Sequence, residues 1–205
     1  MPEQRPHQPN TTMDDRTYHV PRHVGPNIFP AHPFFNRLVR FAHAEPPRIC
    51  VRDDNTGVEA THVQLLTDVL AYRARVWDAL SSKVRQQLDN REEVYIAILA
   101  AGGYEFTVAT LAALALGAAI VPMTVALPAE EALYFATKSK AVAVLCSEAA
   151  LELGTSLERM LRERESNSEF FCSAVAPSLG NEPLAPSDIK TVSYTHLTLP
   201  TKRIV

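Results

Sequence analysis

The run of residues 194–202, Tyr-Thr-His-Leu-Thr-Leu-Pro-Thr-Lys, contains side chains that could bind phosphate. Hydroxyl groups and a lysine ammonium are the groups that a phosphate-binding loop uses. Such a loop also needs glycines, because its backbone N–H groups must approach the anion and adopt dihedral angles that leucine disfavours. The run has no glycine and carries Leu197 and Leu199 instead, so we assign no nucleotide-binding loop to it.

Gly102–Gly103 is a second candidate, since it lies after an apolar run and before a helical pattern. A dinucleotide-binding turn occupies such a place, but it has the spacing G-x-G-x-x-G and an acidic residue at the end of the next strand. Both features are absent from the sequence. We therefore interpret the two glycines as the geometry of a strand-to-helix turn.

Cysteine and histidine give no metal-binding pattern. The three cysteines, Cys50, Cys146 and Cys172, are odd in number and far apart, and the seven histidines have no ligand spacing. The cysteines therefore predict reduced thiols in an intracellular protein. The compartment stays open between cytoplasmic, mitochondrial and peroxisomal. From the residues alone we assign no catalytic, cofactor-binding or metal-binding side chain.

Residues 93–146 carry the clearest structural pattern. Three runs in this stretch are continuously apolar, namely Val94–Leu99, Ala118–Val121 and Ala141–Cys146. Continuous rather than alternating apolar runs are typical of strands that are buried on both faces of a parallel sheet. Helical patterns separate the runs, so the stretch predicts a βαβαβ unit and an α/β fold with a mostly parallel sheet.

Helix and turn signals extend the pattern on both sides. The helix predicted at Tyr104–Leu116 ends before Gly117, which suits a left-handed cap. Beyond Ser166 the chain becomes polar and contains prolines, as a linker does. Before this unit, the sequence predicts a helix at Phe34–Phe41 with an apolar face of Phe34, Leu38 and Phe41, and a strand at Ile49–Val51 with a hairpin turn at Asp53–Gly57. A helix with a Thr61–Gln64 capping box and an apolar stripe from Leu66 to Val84 is predicted next. Two later helices are predicted, one that begins at Pro128 and one at about Ser147–Arg164.

The amino-acid sequence of the βαβαβ unit at residues 93–146 resembles the early part of the large domain of adenylate-forming enzymes, the AMP-binding acyl-CoA synthetases and ligases. The resemblance runs from about Phe34 to Ile189 and is clearest at Val94–Cys146. It includes the helix that follows Thr61, the Tyr104–Phe106 turn and the segment Gly117–Pro122. Two features depart from the family. Asp89–Glu92 replaces a Gly-x-x-x-Gly-Asp connection, and His62 replaces the usual aromatic residue after Thr61.

The resemblance implies a parent enzyme that joins a carboxylate to ATP, forms an acyl-adenylate and passes the acyl group to a thiol such as that of coenzyme A. The implied cofactors of that parent enzyme are ATP, Mg²⁺ and coenzyme A, its partners are a small-molecule carboxylate and coenzyme A, and fatty acid metabolism is its setting. The family's phosphate loop, ribose acid and mobile lysine cannot be mapped onto residues 1–191. The loop Met123–Ala126 lies near the thiol-acceptor nucleotide in some relatives but has no assignable donor pattern. We therefore expect the present chain to be an inactive N-terminal part.

Proline content, the resemblance and the final residues together divide the chain into three segments. Residues 1–33 hold seven of the fifteen prolines and are predicted to be a disordered arm. Residues 34–191 are predicted to be a truncated, incomplete three-layer domain. In residues 192–205, the run VSYTHLTLPT matches the conceptual translation of a transposase-type sequencing-library adapter, so we expect a tail that is not native. It stands where the family has a Tyr-Thr-Ser-Gly-Thr-Thr-Gly-x-Pro-Lys loop.

Three other function classes are nucleic-acid binding, a membrane protein and a non-catalytic module. A formal net charge of −3 without a dense cluster of lysine and arginine argues against nucleic-acid binding. The uncharged stretch Phe106–Ala129 is long enough to cross a bilayer, but Gly117, Pro122 and Pro128 favour a helix followed by a strand. A non-catalytic α/β binding or interaction module remains the alternative to an enzyme.

Overall fold

A computed structural model describes residues 25–164 and 169–191. Its strands form three separate sheets, β1 with β8, β2 with β3, and a four-stranded sheet in the order β5-β4-β6-β7. The elements are β1 Ile28–Phe29, α1 Pro33–Ala42, β2 Ile49–Asp53, β3 Val58–Thr61, α2 His62–Ala79, α3 Ser82–Asp89, β4 Tyr95–Leu99, α4 Tyr104–Leu116, β5 Ala119–Met123, α5 Ala129–Ser139, β6 Ala143–Cys146, α6 Leu151–Arg164, β7 Phe171–Ala174 and β8 Lys190–Thr191.

The four-stranded sheet is parallel throughout and is covered on both faces. Successive side chains of a strand point to opposite faces, so β4 contributes to two apolar clusters. Ile96 and Ile98 belong to the cluster that contains α2 and α4. Ala97 and Leu99 belong to the cluster that contains α5 and α6. The predicted α/β class with a mostly parallel sheet in a three-layer arrangement is confirmed.

The three predicted strands are confirmed with shifted ends, and β5 is the most informative of them. The prediction ended at Val121, whereas the strand continues through Pro122 to Met123. Proline cannot donate to a ladder, so it is tolerated only where one side of the strand is unpaired. In the described sheet β5 bonds to β4 alone, and it is an edge strand.

The linker predicted beyond Ser166 is wrong at Phe171–Ala174, which form β7 against β6. Four residues with a serine and a cysteine among them lack the long apolar run by which a buried strand is recognised. β7 lies at the other edge of the sheet, where partial exposure permits polar side chains.

The helix predicted at Phe34–Phe41 is confirmed as α1, but its predicted apolar face is wrong by one position. Phe35, Val39 and Ala42 are buried, while the side chains of Phe34 and Phe41 are exposed. Both residue sets have helical spacing, so periodicity alone could not choose between them.

The apolar stripe predicted from Leu66 to Val84 belongs to two helices instead of one. α2 ends at Ala79, Leu80 adopts an extended conformation, and the hydroxyl of Ser81 accepts from the N–H of Val84 at the start of α3. Half of the predicted capping box is confirmed, because the Thr61 hydroxyl accepts from the N–H of Gln64 at 3.3 Å. The other half is wrong, because among the described residues the Gln64 side chain accepts no hydrogen bond from the Thr61 N–H, and its amide nitrogen donates to Asp68 and to the carbonyl oxygen of Asn181.

The predicted disordered arm does not extend to residue 33. Residues 1–24 and the predicted adapter tail, residues 192–205, lie outside the described residues. Ile28–Phe29 form β1, and the Phe29 side chain is fully buried. The guanidinium of the buried Arg73 donates to the carbonyl oxygens of Gly25, Pro26 and Ile28 at 3.3, 2.8 and 2.6 Å, which holds this segment on α2.

The predicted helix Tyr104–Leu116 is confirmed as α4, and Gly117 adopts the predicted left-handed conformation with φ 86°. The uncharged stretch Phe106–Ala129 is therefore divided among most of α4, the strand β5, the loop after it and the first residue of α5. Across residues 25–164 and 169–191, no helix has the combined length and apolarity that crossing a bilayer requires.

Candidate functional site

The carboxyl edge of the four-stranded sheet is the candidate site. Chain order reverses between β4 and β6, since β5 lies on one side of β4 and β6 on the other. Open α/β sheets bind ligands outside the carboxyl ends of their strands at such a reversal. The segments that follow β4, β5 and β6 meet at this edge, and each leads into a helix.

The segment after β4 contains Gly102–Gly103, and a side chain of this protein already caps the helix that follows. Asp53 ends β2, in the predicted hairpin that is confirmed as β2–β3. Its Oδ2 accepts from the N–H of Tyr104 at 2.8 Å, and its Oδ1 accepts from the N–H groups of Asn55 and Thr56. The hydrogen bond from Tyr104 is the largest cause that holds the pKa of Asp53 below its usual range.

The contact between Asp53 and the N–H of Tyr104 requires a glycine at position 103. Its φ of 146° is unfavourable for other residues, and a Cβ built there would lie 2.5 Å from Oδ2 of Asp53. The glycine thus allows the carboxylate to approach the first turn of α4. The interpretation of Gly102–Gly103 as turn geometry accounts for this arrangement.

The segment after β6 is capped in the same way by a residue of α4. Oε1 of Glu105 accepts from the N–H of Glu148 at 3.0 Å. Partial burial of the Glu105 carboxyl raises its pKa, and the hydrogen bond from Glu148 opposes the rise. This contact joins the two segments that flank the reversal between β4 and β6.

The segment after β5 leads into α5 and also carries acids. Glu130 and Glu131 lie in the first turn of α5. The loop Met123–Ala126 precedes it, and in this loop the Thr124 hydroxyl accepts from the N–H of Ala126 at 3.3 Å. The structure gives this loop no further polar contact that would identify a ligand.

Ser147 is a polar group at the reversal that the sequence did not single out. Ser147 is 4% exposed, and its N–H donates to the carbonyl oxygen of Leu99. Its hydroxyl has no hydrogen-bond partner within the part of the chain that the structure describes.

Asp68 forms a buried polar cluster beside this edge that sequence reasoning missed. Its carboxylate accepts from the Gln64 amide, the Tyr104 hydroxyl, the N–H groups of Gly180 and Asn181, and the Asn181 amide. Burial is the largest cause that raises the pKa of the Tyr104 hydroxyl. An acid within the apolar stretch Leu65–Leu70 of α2 was the available signal, because buried carboxylates need several donors.

An apolar cavity of about 460 Å³ lies away from the carboxyl edge. Ala118 precedes β5, which places the cavity beside the opposite, amino edge of the sheet. The lining residues are Pro30, His32, Phe34, Phe35, Leu114, Gly117 and Ala118.

Within residues 25–164 and 169–191, no three side chains of histidine, cysteine, aspartate or glutamate lie close enough together to hold a metal ion. The three cysteines are free thiols. Residues 194–202 lie outside the described part of the chain.

Comparison with known proteins gives a family for this arrangement. The family model described as "AMP-binding enzyme" matches residues 40–195. Acyl-CoA ligase oryP of Aspergillus oryzae (strain ATCC 42149 / RIB 40) is 38% identical over 92 residues, which are 45% of this chain. The matched stretch spans 16% of the length of that curated relative.

Solved structures share the fold. A protein assigned as a long-chain-fatty-acid CoA ligase from Rhodopseudomonas palustris CGA009 matches with a TM-score of 0.54 and 14% identity over 78% of this chain and 38% of its own. A fatty acyl CoA synthetase of Mycobacterium tuberculosis matches with a TM-score of 0.52 and 19% identity over 73% of this chain and 28% of its own. Since the AMP-binding enzyme model covers most of the residues, the chain belongs to the AMP-binding enzyme family.

Proposed function

We propose that this chain is the N-terminal part of an ATP-dependent acid–thiol ligase. In the whole enzyme a carboxylate oxygen attacks the α-phosphate of ATP and pyrophosphate leaves. A thiol such as that of coenzyme A then attacks the acyl carbon of the adenylate, and AMP leaves. Family membership supports this proposal, as does the 38%-identical relative whose name is acyl-CoA ligase. ATP, Mg²⁺ and coenzyme A are the proposed cofactors, and a fatty or other small carboxylic acid is the proposed substrate.

We propose in addition that these 205 residues do not form an adenylate by themselves. The observation that carries this point is the run 194–202, which has no glycine in the place of the family's phosphate loop, and the helix starts at the carboxyl edge do not replace that loop. The first turn of α4 contains Glu105, that of α5 contains Glu130 and Glu131, and the turn before α6 contains Glu148.

These acids make the described helix starts poor substitutes for a phosphate-binding loop, for two reasons. A helix start attracts anions through its free N–H groups and positive dipole end, and a carboxylate in the first turn cancels that attraction. In addition, the N–H groups of Tyr104 and Glu148 already donate to Asp53 and Glu105. The transfer reaction needs donors and cations around the phosphates, and the described helix starts offer acceptors instead.

The experiment that tests the parent function is re-sequencing of the transcript across the codon for Thr191. The proposal expects the reading frame to continue from Thr191 into a glycine-rich loop that contains serine, threonine and lysine. The extended chain should then catalyse carboxylate-dependent exchange between ATP and pyrophosphate. A genomic reading frame that encodes residues 192–205 as they stand would overturn the proposal, and so would an extended chain that shows no exchange with any carboxylate tested.

A non-catalytic binding module is the second candidate, and the apolar cavity favours it. Phe34 and Leu114 line this cavity and are 46% and 37% exposed. Substitution Leu114→Glu would place a charge in the cavity and should abolish binding of an apolar dye, whereas Val125→Glu, on the loop after β5, should leave it unchanged. Dye binding that is equal in the two variants would remove this candidate.

A further inference from the structure

We propose that Cys146 and Cys172 form an oxidation-sensitive dithiol, in which a peroxide oxidises Cys172 and Cys146 then closes an intramolecular disulfide. The two cysteines lie on the face of the sheet that is covered by α5 and α6, opposite α2 and α4. The proposal does not depend on the ligase function.

Proximity is the first observation. Cys146 ends β6 and Cys172 lies in β7, and their Sγ atoms are 3.5 Å apart although 26 positions separate them in sequence. The strand register pairs Cys172 with Val144 and Cys146 with Ala174, so the two thiols are diagonal neighbours. A disulfide has an S–S length of about 2.05 Å, so the sulfurs must approach by about 1.5 Å. Among the described strands β7 bonds only to β6, so it can shift without breaking a second ladder.

The space around the two sulfurs is the second observation. Gly154 of α6 faces both thiols, and a Cβ at this position would lie 2.8 Å from Sγ of Cys172 and closer still to Sγ of Cys146. Real Cβ contacts essentially never become so short. Glycine within a helix costs about 1 kcal/mol relative to alanine, so its presence here needs a packing reason. The room that it leaves for two sulfurs supplies that reason.

The two thiols differ in environment, which assigns their roles. Cys146 is fully buried, whereas Cys172 is partly exposed and can meet a small oxidant. With the Cys146 thiol as donor, the hydrogen bond between the sulfurs raises the pKa of Cys146 and lowers that of Cys172. Burial and the carboxylate of Glu158, which accepts from the Cys172 N–H at 3.0 Å, work against the lowering. Cys172 is therefore the attacking thiolate and Cys146 the resolving thiol.

The chemistry balances with hydrogen peroxide as the oxidant. The thiolate of Cys172 attacks one peroxide oxygen, the O–O bond breaks, and hydroxide leaves to give a sulfenic acid. The sulfur of Cys146 then attacks the sulfur of Cys172, the S–O bond breaks, and water leaves. In total two thiols lose two electrons and two protons, and one peroxide becomes two waters. A thiol reductant reverses the change.

Cys50 supplies an internal reference in the same molecule. It is also partly exposed, but its Sγ donates to the carbonyl oxygen of Ala60 at 3.4 Å, and burial raises its pKa. It has no second thiol beside it, since Cys146 and Cys172 are the only other cysteines of the sequence. Cys172 should therefore react first, by about tenfold or more over Cys50.

The test is a titration of the full 205-residue chain with hydrogen peroxide, followed by alkylation, intact mass and peptide mapping. We expect a loss of about 2 Da at one equivalent, a peptide that links Cys146 to Cys172, and an alkylated Cys50. In Cys146→Ser the sulfenic acid of Cys172 should persist and be captured by dimedone. Cys50→Ser should leave the kinetics unchanged, and Gly154→Ala should slow disulfide closure.

Two results would overturn the proposal, and neither requires a variant to fold. The first is oxidation of Cys172 at the same rate as Cys50 in the unsubstituted chain. The second is accumulation of sulfinic acid at Cys172 without a linked peptide, because a resolving thiol 3.5 Å away should intercept the sulfenic acid first.

Discussion

Asp53 at the end of β2 accepts the first N–H of α4, from Tyr104, at 2.8 Å, and so joins the small hairpin to the central sheet. The contact places a carboxylate where an anionic ligand would meet the helix start. It also gives the glycine pair after this buried strand a structural reason, because Gly103 lets the Asp53 carboxylate approach the helix start.

Substitution Asp53→Asn should lower the urea midpoint of unfolding at pH 7, because an amide is a weaker partner than a carboxylate for the N–H of Tyr104 and the helix dipole. Asp54→Asn is the matched control, since Asp54 is the exposed neighbour of Asp53 in the same turn. Equal midpoints for the two variants would show that the Asp53 contact contributes nothing.

The same residue predicts a pH dependence with a definite sign. The pKa of Asp53 is lowered in the folded state, so its contribution to the free energy of unfolding is complete above the unfolded value of about 3.9. The contribution is lost as pH falls through the folded pKa. The stability difference between the unsubstituted chain and Asp53→Asn should be constant from pH 5 to 7, as approximate limits, and shrink below about pH 4. A difference that grows on acidification would contradict the assignment.

Asp68 should be the most sensitive polar position of α2. Substitution Asp68→Ala leaves several buried donors without their acceptor, including the Tyr104 hydroxyl and the N–H of Asn181, and should cost on the order of 3 kcal/mol. Asp78→Ala, at an exposed position of the same helix, should change the free energy of unfolding by less than about 0.5 kcal/mol. Denaturant unfolding of both variants measures the contrast, and similar losses would argue against the buried cluster.

Arg73 should control the attachment of residues 25–29. Substitution Arg73→Met removes the donors to three backbone carbonyl oxygens, so amide exchange in β1 and β8 should accelerate by about tenfold or more. Arg75→Met, on an exposed turn of α2, should leave this exchange unchanged. Unaltered protection of the Phe29 amide in Arg73→Met would show that these hydrogen bonds do not hold residues 25–29 in place.

Gly117 and Gly102 form a matched pair for testing backbone conformation. Nothing lies within 4 Å of a Cβ at either position, but only Gly117 has a left-handed φ, 86°. Gly117→Ala should therefore cost about 1 kcal/mol, and Gly102→Ala should cost less than about 0.5 kcal/mol. Chemical denaturation distinguishes the two, and a larger loss at Gly102 would contradict this reason for the glycine at position 117.

Local sequence signals predicted those elements whose residues fit only one type of secondary structure. The apolar run before Gly102 and the glycine after Leu116 each have one good structural interpretation, and β4 and α4 are confirmed. The face of α1 could not be chosen, because Phe34 and Phe35 begin equally good helical stripes. β7 could not be recognised, since a four-residue edge strand gains its stability from pairing with β6 rather than from its own pattern.

The candidate site was less predictable than the fold, because its contacts join residues far apart in sequence. Asp53 and Tyr104 are 51 positions apart, and Glu105 and Glu148 are 43 apart. Neither contact leaves a local pattern, since an acid near a helix start is common for the helix dipole alone. The resemblance to AMP-binding synthetases gave the family without these contacts.

Carboxylate-dependent exchange between ATP and pyrophosphate, measured on the purified 205-residue chain with the Aspergillus oryzae ligase as positive control, tests the central claim most directly. The account predicts exchange at the level of the protein-free blank for every carboxylate, because the run 194–202 lacks the glycines of a phosphate-binding loop and the described helix starts at the carboxyl edge do not replace it. Exchange above that blank, dependent on an added acid and on Mg²⁺, would contradict it.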